Sequence, residues 1–133
     1  MTDTNTLAIA SHYVDAVNAK DFGAMAGLFA EDIVWHQPGS NRHSGIHRGS
    51  AAVGQLIGAQ MAFTNGTLEI AVAGAPMVNG DVFALPVHFS AKREGAELSM
   101  DGVDIMKVDG DKIVEMWLFS AVEKDEDAFW DAD

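Results

Sequence analysis

Two residues far apart in the chain, Tyr13 and Asp104, have the side-chain types needed to stabilise a negatively charged oxygen. Asp104 is the lone carboxylate in an alternating apolar register that runs Leu98, Met100, Gly102, Asp104, Met106, Val108. Because burial disfavours a charged carboxylate, a group at such a position tends to keep its proton and donate a hydrogen bond, or to meet a partner. Tyr13 lies in an amphipathic helical segment and supplies a phenol. A neutral acid and a phenol together would form an oxyanion site.

Both residues also have a structural interpretation. A tyrosine on the apolar stripe of a helix is often a core residue whose hydroxyl bonds to a backbone group. Asp104 could instead pair with a buried neighbour, for which Arg48 and His12 are the available cations. The residues alone leave these alternatives open.

Helical periodicity in the first half of the chain predicts that Tyr13 lies on the buried face of a helix. The stripe at helical spacing consists of Ala10, Tyr13, Val14 and Val17. Asp21 is a typical N-cap for a second helix. We expect the apolar face of that helix to comprise Phe22, Met25, Ala26 and Phe29.

A short strand and a third helix are expected next. The strand is predicted from Ile33 to Gln37, and the glycine-rich segment from Gln37 to Gly49 is predicted to be irregular. Ser50 can cap the third helix, which Asn65-Gly66 ends.

Alternating hydrophobicity in the second half predicts long strands. They lie near 68–78, 82–92, 97–108 and 112–121, and are separated by the turn pairs Asn79-Gly80, Glu94-Gly95 and Asp109-Gly110. Helices followed by such a meander indicate an α+β fold, in which one long curved sheet with helices on its concave side encloses a cavity. The 133 residues suffice for a single domain, 1–133.

The concave side of the predicted sheet would form the wall of an apolar pocket. The candidate ligand-binding residues are Trp35, Gln37, Phe83, Leu85, Val87, Phe89, Met100, Met106 and Met116. Ordinary core packing would use the same residues. Seven methionines in a short chain favour an adaptable surface, and the expected ligand is a small, flat, hydrophobic molecule with one carbonyl or phenol group.

Five short strings occur in order over nearly the whole chain. They are His12-Tyr13-Val14, Phe29-Ala30-Glu31-Asp32, Trp35-His36-Gln37-Pro38-Gly39, Gly45-Ile46-His47-Arg48-Gly49 and Val103-Asp104-Ile105-Met106-Lys107-Val108-Asp109-Gly110. Together they resemble the ketosteroid isomerase branch of the nuclear-transport-factor-2-like superfamily and its SnoaL-like polyketide cyclase relatives. The resemblance implies a cone-shaped α+β barrel, with three N-terminal helices packed on a strongly curved antiparallel sheet around an apolar pocket.

The same resemblance implies roles for single residues. Tyr13 matches the oxyanion tyrosine of the isomerases and Asp104 their protonated aspartic acid; the neutral carboxylic acid as an oxyanion donor is an idea taken from that family. The third position differs, because Gln37 stands before Pro38 where the isomerases place the aspartate that moves the proton. An amide cannot accept a proton at neutral pH, so another base is needed.

His36 is the first candidate for that base, since a neutral imidazole accepts a proton near pH 7. Strand alternation puts Trp35 and Gln37 on one face and His36 on the other, so a bulge would be needed to turn His36 inward. His43 and His47 in the following loop are further candidates.

The expected function is therefore enzymatic. We expect an isomerase- or cyclase-like protein that acts on a small hydrophobic carbonyl compound through an enolate held by Tyr13 and Asp104. The alternative is a non-catalytic dimeric protein that binds a small hydrophobic ligand, which the replacement of the base by Gln37 suggests.

Composition narrows the partners. Twenty acidic residues against eight basic ones give a formal net charge of −12, so neither nucleic acid nor a membrane surface is an expected partner. Cysteine is absent, which excludes disulfides and a thiolate zinc site, and no targeting or spanning segment is recognised, so a cytoplasmic location is expected. No cofactor and no metal are expected, because His36, His43 and His47 on a glycine-containing loop would be poorly preorganised ligands.

The outward register of the last strand carries Glu115, Trp117, Phe119 and Ala121. In the resembled family this outer face pairs two subunits, and we expect a homodimer. Alternatively, the acidic tail Glu123 to Asp133 folds back so that Phe129 and Trp130 cover this face. His88 falls in an outward register and is expected at the surface or at the subunit interface.

Overall fold

The computed structural model describes residues 2–131, which form four helices and seven strands. In chain order these are α1 (Thr2–Asn18), α2 (Phe22–Gly27), β1 (Phe29–Gln37), β2 (Gly45–Arg48), α3 (Ser50–Phe63), β3 (Glu69–Val72), β4 (Met77–Asn79), β5 (Val82–Arg93), β6 (Ala96–Asp109), β7 (Lys112–Ser120) and α4 (Glu123–Asp131). None of the helices in this described part has the length and apolar character that a membrane crossing requires.

The strands form one mixed sheet in the order β2-β1-β7-β6-β5-β3, with β4 also paired to β5. The neighbours β1 and β7 run parallel, whereas the other pairs are antiparallel. A parallel pair is possible there because a long stretch of chain connects the two strands, so no hairpin constrains their direction. The α+β class is confirmed, but the strongly curved antiparallel barrel is wrong: the sheet is mixed, open between β2 and β3, and not strongly curled.

The helices also differ from the expectation. Only α1 and α2 precede the first strand, because α3 follows β2, so the prediction of three N-terminal helices is wrong. The N-cap at Asp21 is confirmed, since its Oδ1 accepts a hydrogen bond from the backbone N–H of Ala24 at 3.0 Å. Helix α2 is only six residues long, and Phe29 begins β1 instead of extending the helical face. Helix α3 is capped by Gly49, not by Ser50.

Two segments for which the sequence predicted neither a helix nor a strand contain regular secondary structure. The glycine-rich segment includes β2, which pairs with β1 between two glycines of positive φ, Gly45 and Gly49. The acidic tail forms α4, where carboxylates in the first turn interact favourably with the helix dipole. The strand predicted at 68–78 is divided into β3 and β4. The three long strands of the meander are confirmed as β5, β6 and β7.

Helices α1 and α3 pack on one face of the sheet, called here the inner face. The principal core joins Ile9, Ala10, Tyr13 and Val17 of α1 with Val53 and Leu56 of α3 and with Ile33, Phe83, Leu85, Met106, Ile113 and Met116 of the sheet. Each such large side chain stabilises the fold by roughly 1.5–3 kcal/mol on full burial. The opposite, outer face carries His36, His88, Val103 and Trp117. The packed inner face therefore fixes the positions of Tyr13 and of the inward residues of β6.

Candidate functional site

An apolar cavity of about 100 Å³ lies on the inner face of the sheet. Most of its wall is aliphatic or aromatic, and its polar or ionisable side chains are Tyr13, Gln37, Gln60, Asp104, Ser120 and Glu126. Sites for drug-sized ligands measure roughly 300–1,000 Å³, and a cavity of about 150 Å³ holds benzene. The cavity is smaller than both, which limits the ligand to at most the size of a single ring.

Tyr13 and Asp104 line this cavity together. Tyr13 belongs to the buried stripe of α1 and is 2% exposed, and Asp104 lies in β6 opposite Leu85 of β5 and is 5% exposed. Within residues 2–131 neither the Tyr13 hydroxyl nor the Asp104 carboxyl has a hydrogen-bond partner, and neither is sealed from the cavity. The ion pair of Asp104 with Arg48 or His12 is not formed there. Both polar groups are thus available to a ligand.

The neighbouring Gly102 keeps room beside Asp104. A Cβ atom at this position would lie 2.5 Å from the backbone oxygen of Phe119 and 3.1 Å from the Phe89 ring. The glycine thus permits β7 to approach β6 while Phe89 stays in the cavity wall.

Burial determines the ionisation of both groups. It raises the pKa of Asp104 to about 7, and the negative charge of Glu126 acts in the same direction. Burial also raises the pKa of the Tyr13 phenol far above its ordinary value, with Asp104 as the second cause. The phenol is therefore protonated throughout the neutral range and the acid is partly so, which lets both donate hydrogen bonds to a ligand oxygen.

Glu126 is a functional candidate that the sequence analysis missed. It lies on α4, lines the cavity and is 4% exposed. Its Oε1 accepts a hydrogen bond from Ser120 Oγ at 2.5 Å, and its Oε2 accepts one from Trp130 Nε1 at 3.2 Å. Burial raises the pKa of Glu126, and these two hydrogen bonds oppose that increase. The available signal was the spacing of Glu126, Phe129 and Trp130, which places all three on one helix face.

The predicted ligand-binding residues divide into two groups. The cavity is lined by Trp35, Gln37, Val87, Phe89 and Met116. It is not lined by the other four predicted residues, Phe83, Leu85, Met100 and Met106. The reason is helix cover: Phe83, Leu85 and Met106 pack in the core with α1, and Met100 packs with Phe129 and Trp130 of α4. These four residues contribute to core packing.

Two buried amides share the cavity wall. Gln37 ends β1, and its Oε1 accepts a hydrogen bond from Trp35 Nε1 at 2.9 Å. This contact orients the indole and leaves no proton-accepting group at the position where a base was expected. Gln60 of α3 was not predicted; its side chain has no hydrogen-bond partner within the described residues and can meet a ligand.

The histidines proposed as bases lie outside the cavity wall. His36 is on the outer face, with its Nε2 2.7 Å from Glu115 Oε2 and its ring stacked on Trp117 at 5.3 Å. The pairing of β1 with β7 is regular from Val34 to His36, so no bulge turns the side chain inward, and His36 does not line the cavity with Tyr13 and Asp104.

His43 and His47 have structural contacts. His43 is buried edge-on against Trp130 at 4.8 Å, and His47 Nε2 donates to the His43 backbone oxygen at 2.8 Å. Neither lines the cavity. Across residues 2–131, no cluster of three or more histidine or acidic side chains is arranged to hold a metal ion.

Comparison with known proteins gives one family and many similar folds. The family described as "SnoaL-like domain" matches residues 10–116. A solved protein of unknown function with a cystatin-like fold, from Xanthomonas campestris, is 41% identical, with 96% of this chain and 98% of that chain covered and a TM-score of 0.88. No curated protein matches the sequence.

Two further solved structures are similar in fold. A candidate polyketide cyclase from Xanthomonas campestris pv. campestris is 18% identical over 96% of this chain and 98% of that chain, with a TM-score of 0.72. An NTF2-like protein from Burkholderia xenovorans LB400 is 23% identical over 90% of this chain and 92% of that chain, with a TM-score of 0.66. At these identities the likeness concerns the fold alone.

Proposed function

Because the chain belongs to the SnoaL-like domain family and has an NTF2-like fold, we propose that it is an isomerase- or cyclase-type enzyme acting on a small hydrophobic carbonyl compound. The observation that carries the proposal is the pairing of Tyr13 and Asp104 in one apolar cavity, where neither side chain has a hydrogen-bond partner among residues 2–131. Unpartnered polar groups in an apolar cavity are costly unless a ligand satisfies them. One protein of similar fold is named as a candidate polyketide cyclase, and this name supports a cyclase activity only by way of the shared fold.

The chemistry follows from the properties of these two donors. Loss of a proton from the carbon next to a carbonyl leaves an electron pair that moves onto the oxygen, giving an enolate. The Tyr13 hydroxyl and the protonated Asp104 carboxyl would each donate a hydrogen bond to that oxygen. Donors of this kind contribute roughly 3 kcal/mol each, because the low-dielectric site is preorganised for the charge.

The enolate has two productive outcomes. Protonation at a different carbon gives an isomer of the substrate. Attack of the enolate carbon on a second carbonyl carbon of the same molecule forms a carbon–carbon bond and closes a ring, and the resulting alkoxide takes up the proton. Neither outcome requires an oxidant or a reductant.

A second candidate function is binding without catalysis. Gln37 occupies the position of the usual base, and its oxygen is already engaged by Trp35. A protein of this kind would hold the same hydrophobic carbonyl or phenol ligand and release it unchanged.

A phenol titration tests the oxyanion site. A phenol whose absorbance or fluorescence reports its ionisation would be titrated into wild type, Tyr13→Phe, Asp104→Ala and the control Asp109→Ala, at an exposed aspartate on the same strand. We expect wild type and the control to bind alike, and each cavity variant to bind at least about tenfold more weakly, the value of one hydrogen bond to a charged oxygen. Equal affinity for all four proteins, or no binding at all, would refute the oxyanion site.

A further inference from the structure

The cavity contains a second buried carboxylate whose position suits proton transfer. Glu126 lies on α4, whereas Tyr13 lies on α1 and Asp104 on β6, so three different elements bring ionisable groups to one small apolar space. Asp104 and Glu126 are close enough for the charge of one to affect the ionisation of the other. A small ligand held by its oxygen at Asp104 would therefore share this cavity with the Glu126 carboxyl group.

We propose that Glu126 is the proton acceptor of this site, taking the role that Gln37 cannot fill. This assignment rests on the proposed function, because it requires that Tyr13 and Asp104 hold the substrate oxygen.

The surroundings of the two carboxyl groups favour opposite protonation states. Glu126 accepts hydrogen bonds from Ser120 and Trp130, one on each oxygen, and such bonds stabilise a carboxylate. Asp104 has no donor of this kind within the described residues. When two like groups interact in an apolar site, one holds the proton and the other ionises, and the hydrogen bonds select Glu126 as the ionised group.

The two hydrogen bonds on Glu126 leave lone pairs of its carboxylate free to accept a proton. Each carboxylate oxygen has two lone pairs, and one contact to each oxygen leaves a second lone pair free. The carbon–hydrogen bond of the substrate breaks, its proton passes to a Glu126 oxygen, and its electron pair forms the enolate held by Tyr13 and Asp104. Return of the proton to another carbon restores the carboxylate and completes the isomerisation.

The test measures proton transfer and ligand binding in the same set of proteins. A six-membered-ring β,γ-unsaturated ketone would be followed by deuterium exchange and by conversion to the conjugated isomer. The variants are Glu126→Gln, which keeps the shape and removes the base, and the control Asp125→Asn, at an exposed aspartate on the same helix. We expect Glu126→Gln to lose about 100-fold or more in rate, as for removal of a general base, while its phenol affinity stays within a few-fold of wild type.

The outcomes separate this inference from the function on which it rests. A Glu126→Gln rate equal to that of wild type overturns Glu126 as the base. Phenol binding that depends on Tyr13 and Asp104, with no exchange in wild type, also overturns it and leaves the binding function standing. Phenol binding that is independent of Tyr13 and Asp104 refutes the proposed function itself.

A second measurement applies even if Glu126→Gln does not fold. The groups that act on Glu126 are Glu123 and Asp127 on its own helix and its donors Ser120 and Trp130. On β6, Asp104 faces the charge of Glu126, which raises the pKa of Asp104. Ser120→Ala removes one hydrogen bond to the Glu126 carboxylate, so the pKa of Glu126 should rise. The pH at which the reaction rate increases should then move upward. A purely structural role for Ser120 would not cause this shift. An unchanged pH–rate profile in Ser120→Ala would contradict the assignment.

Discussion

Two carboxyl groups share the cavity, and their contacts determine what each can do. Asp104 lies in an apolar strand register without a donor in the described residues, whereas Glu126 is held by a serine hydroxyl and an indole N–H. Burial alone would neutralise both groups. The difference in hydrogen bonding distinguishes an acid that donates to an oxyanion from a base that accepts a proton.

Replacement of Asp104 by asparagine should change the pH dependence of stability. The pKa of Asp104 in the folded protein is about 7, against an ordinary value of 3.8, so the folded state binds more protons between these values. Its contribution to stability is therefore fully present below pH 3.8 and is lost as pH rises through 7. The difference corresponds to roughly 4 kcal/mol at most. Asparagine cannot ionise, so the Asp104→Asn variant should be more stable than wild type at pH 8 and similar to it near pH 4.

Urea unfolding from pH 4 to pH 8 checks this expectation. Glu126 has a raised pKa and His43 a lowered one, but both are present in the two proteins, so their contributions largely cancel in the comparison. Parallel stability curves for wild type and Asp104→Asn would show that Asp104 is ionised in the folded protein.

Helix α4 completes the site by bringing Glu126 to the cavity wall. Asp127 Oδ1 accepts hydrogen bonds from the Ser40 backbone N–H at 2.9 Å and from Asn41 Nδ2 at 2.8 Å. Gly39, with φ of 87°, permits this approach, because a Cβ atom there would collide with the Asp127 carboxylate. A nine-residue helix is marginal on its own, so its docking to the loop after β1 keeps Glu126 in the cavity.

Loss of this docking should loosen α4. We expect Asp127→Ala to increase amide hydrogen exchange in α4 about tenfold and to slow proton transfer, since Glu126 is then held less firmly. Asp125→Ala is the matched control, because Asp125 is an exposed aspartate on the same helix. Hydrogen-exchange mass spectrometry measures the difference, and equal exchange in α4 of both variants would show that these contacts do not hold the helix.

Local sequence patterns predicted the elements whose signals are local. The stripe around Tyr13 and the register of Asp104 follow from helix and strand periodicity, and the hairpins between β5, β6 and β7 follow from their turn residues. Elements that depend on distant partners were missed. Strand β2 is formed by pairing with β1, and α4 has a polar composition in which only three positions face the core.

Part of the site could not be predicted from local sequence patterns, because it too depends on contacts between distant elements. The inner register predicted which residues point inward, but not which of them a helix covers, and Phe83 and Met100 therefore fell in the core instead of the cavity. The spacing of Glu126, Phe129 and Trp130 places Glu126 on the apolar face of a helix, but only the fold shows that this face lies over the cavity.

Within residues 2–131, the helices pack on the inner face of the sheet and leave its outer face uncovered. Helix α4 lies on the inner face, where Phe129 and Trp130 pack with Met100 and Phe63. The alternative in which the tail covers Trp117 is therefore wrong. Val103, 37% exposed, and Phe119, 54% exposed, remain on the outer face, and the homodimer stays a prediction.

We expect the outer face to mediate this homodimer. Val103→Asp places a charge on it and should dissociate the dimer, whereas Leu7→Asp, at an exposed apolar residue of α1, should not. Because each chain carries a net charge of −12, the dimer should weaken at low salt, where repulsion is least screened. Light scattering measures the mass, and a monomeric wild type in moderate salt would contradict the prediction.

A crystal structure of the protein with a bound phenol would test the oxyanion site most directly. We expect the phenol ring to occupy the apolar cavity and its oxygen to lie about 2.5–3.0 Å from both the Tyr13 hydroxyl and the Asp104 carboxyl, with the ring edge facing Glu126. A phenol bound outside the cavity, or one whose oxygen is turned away from Tyr13 and Asp104, would contradict the oxyanion site and the mechanism built on it.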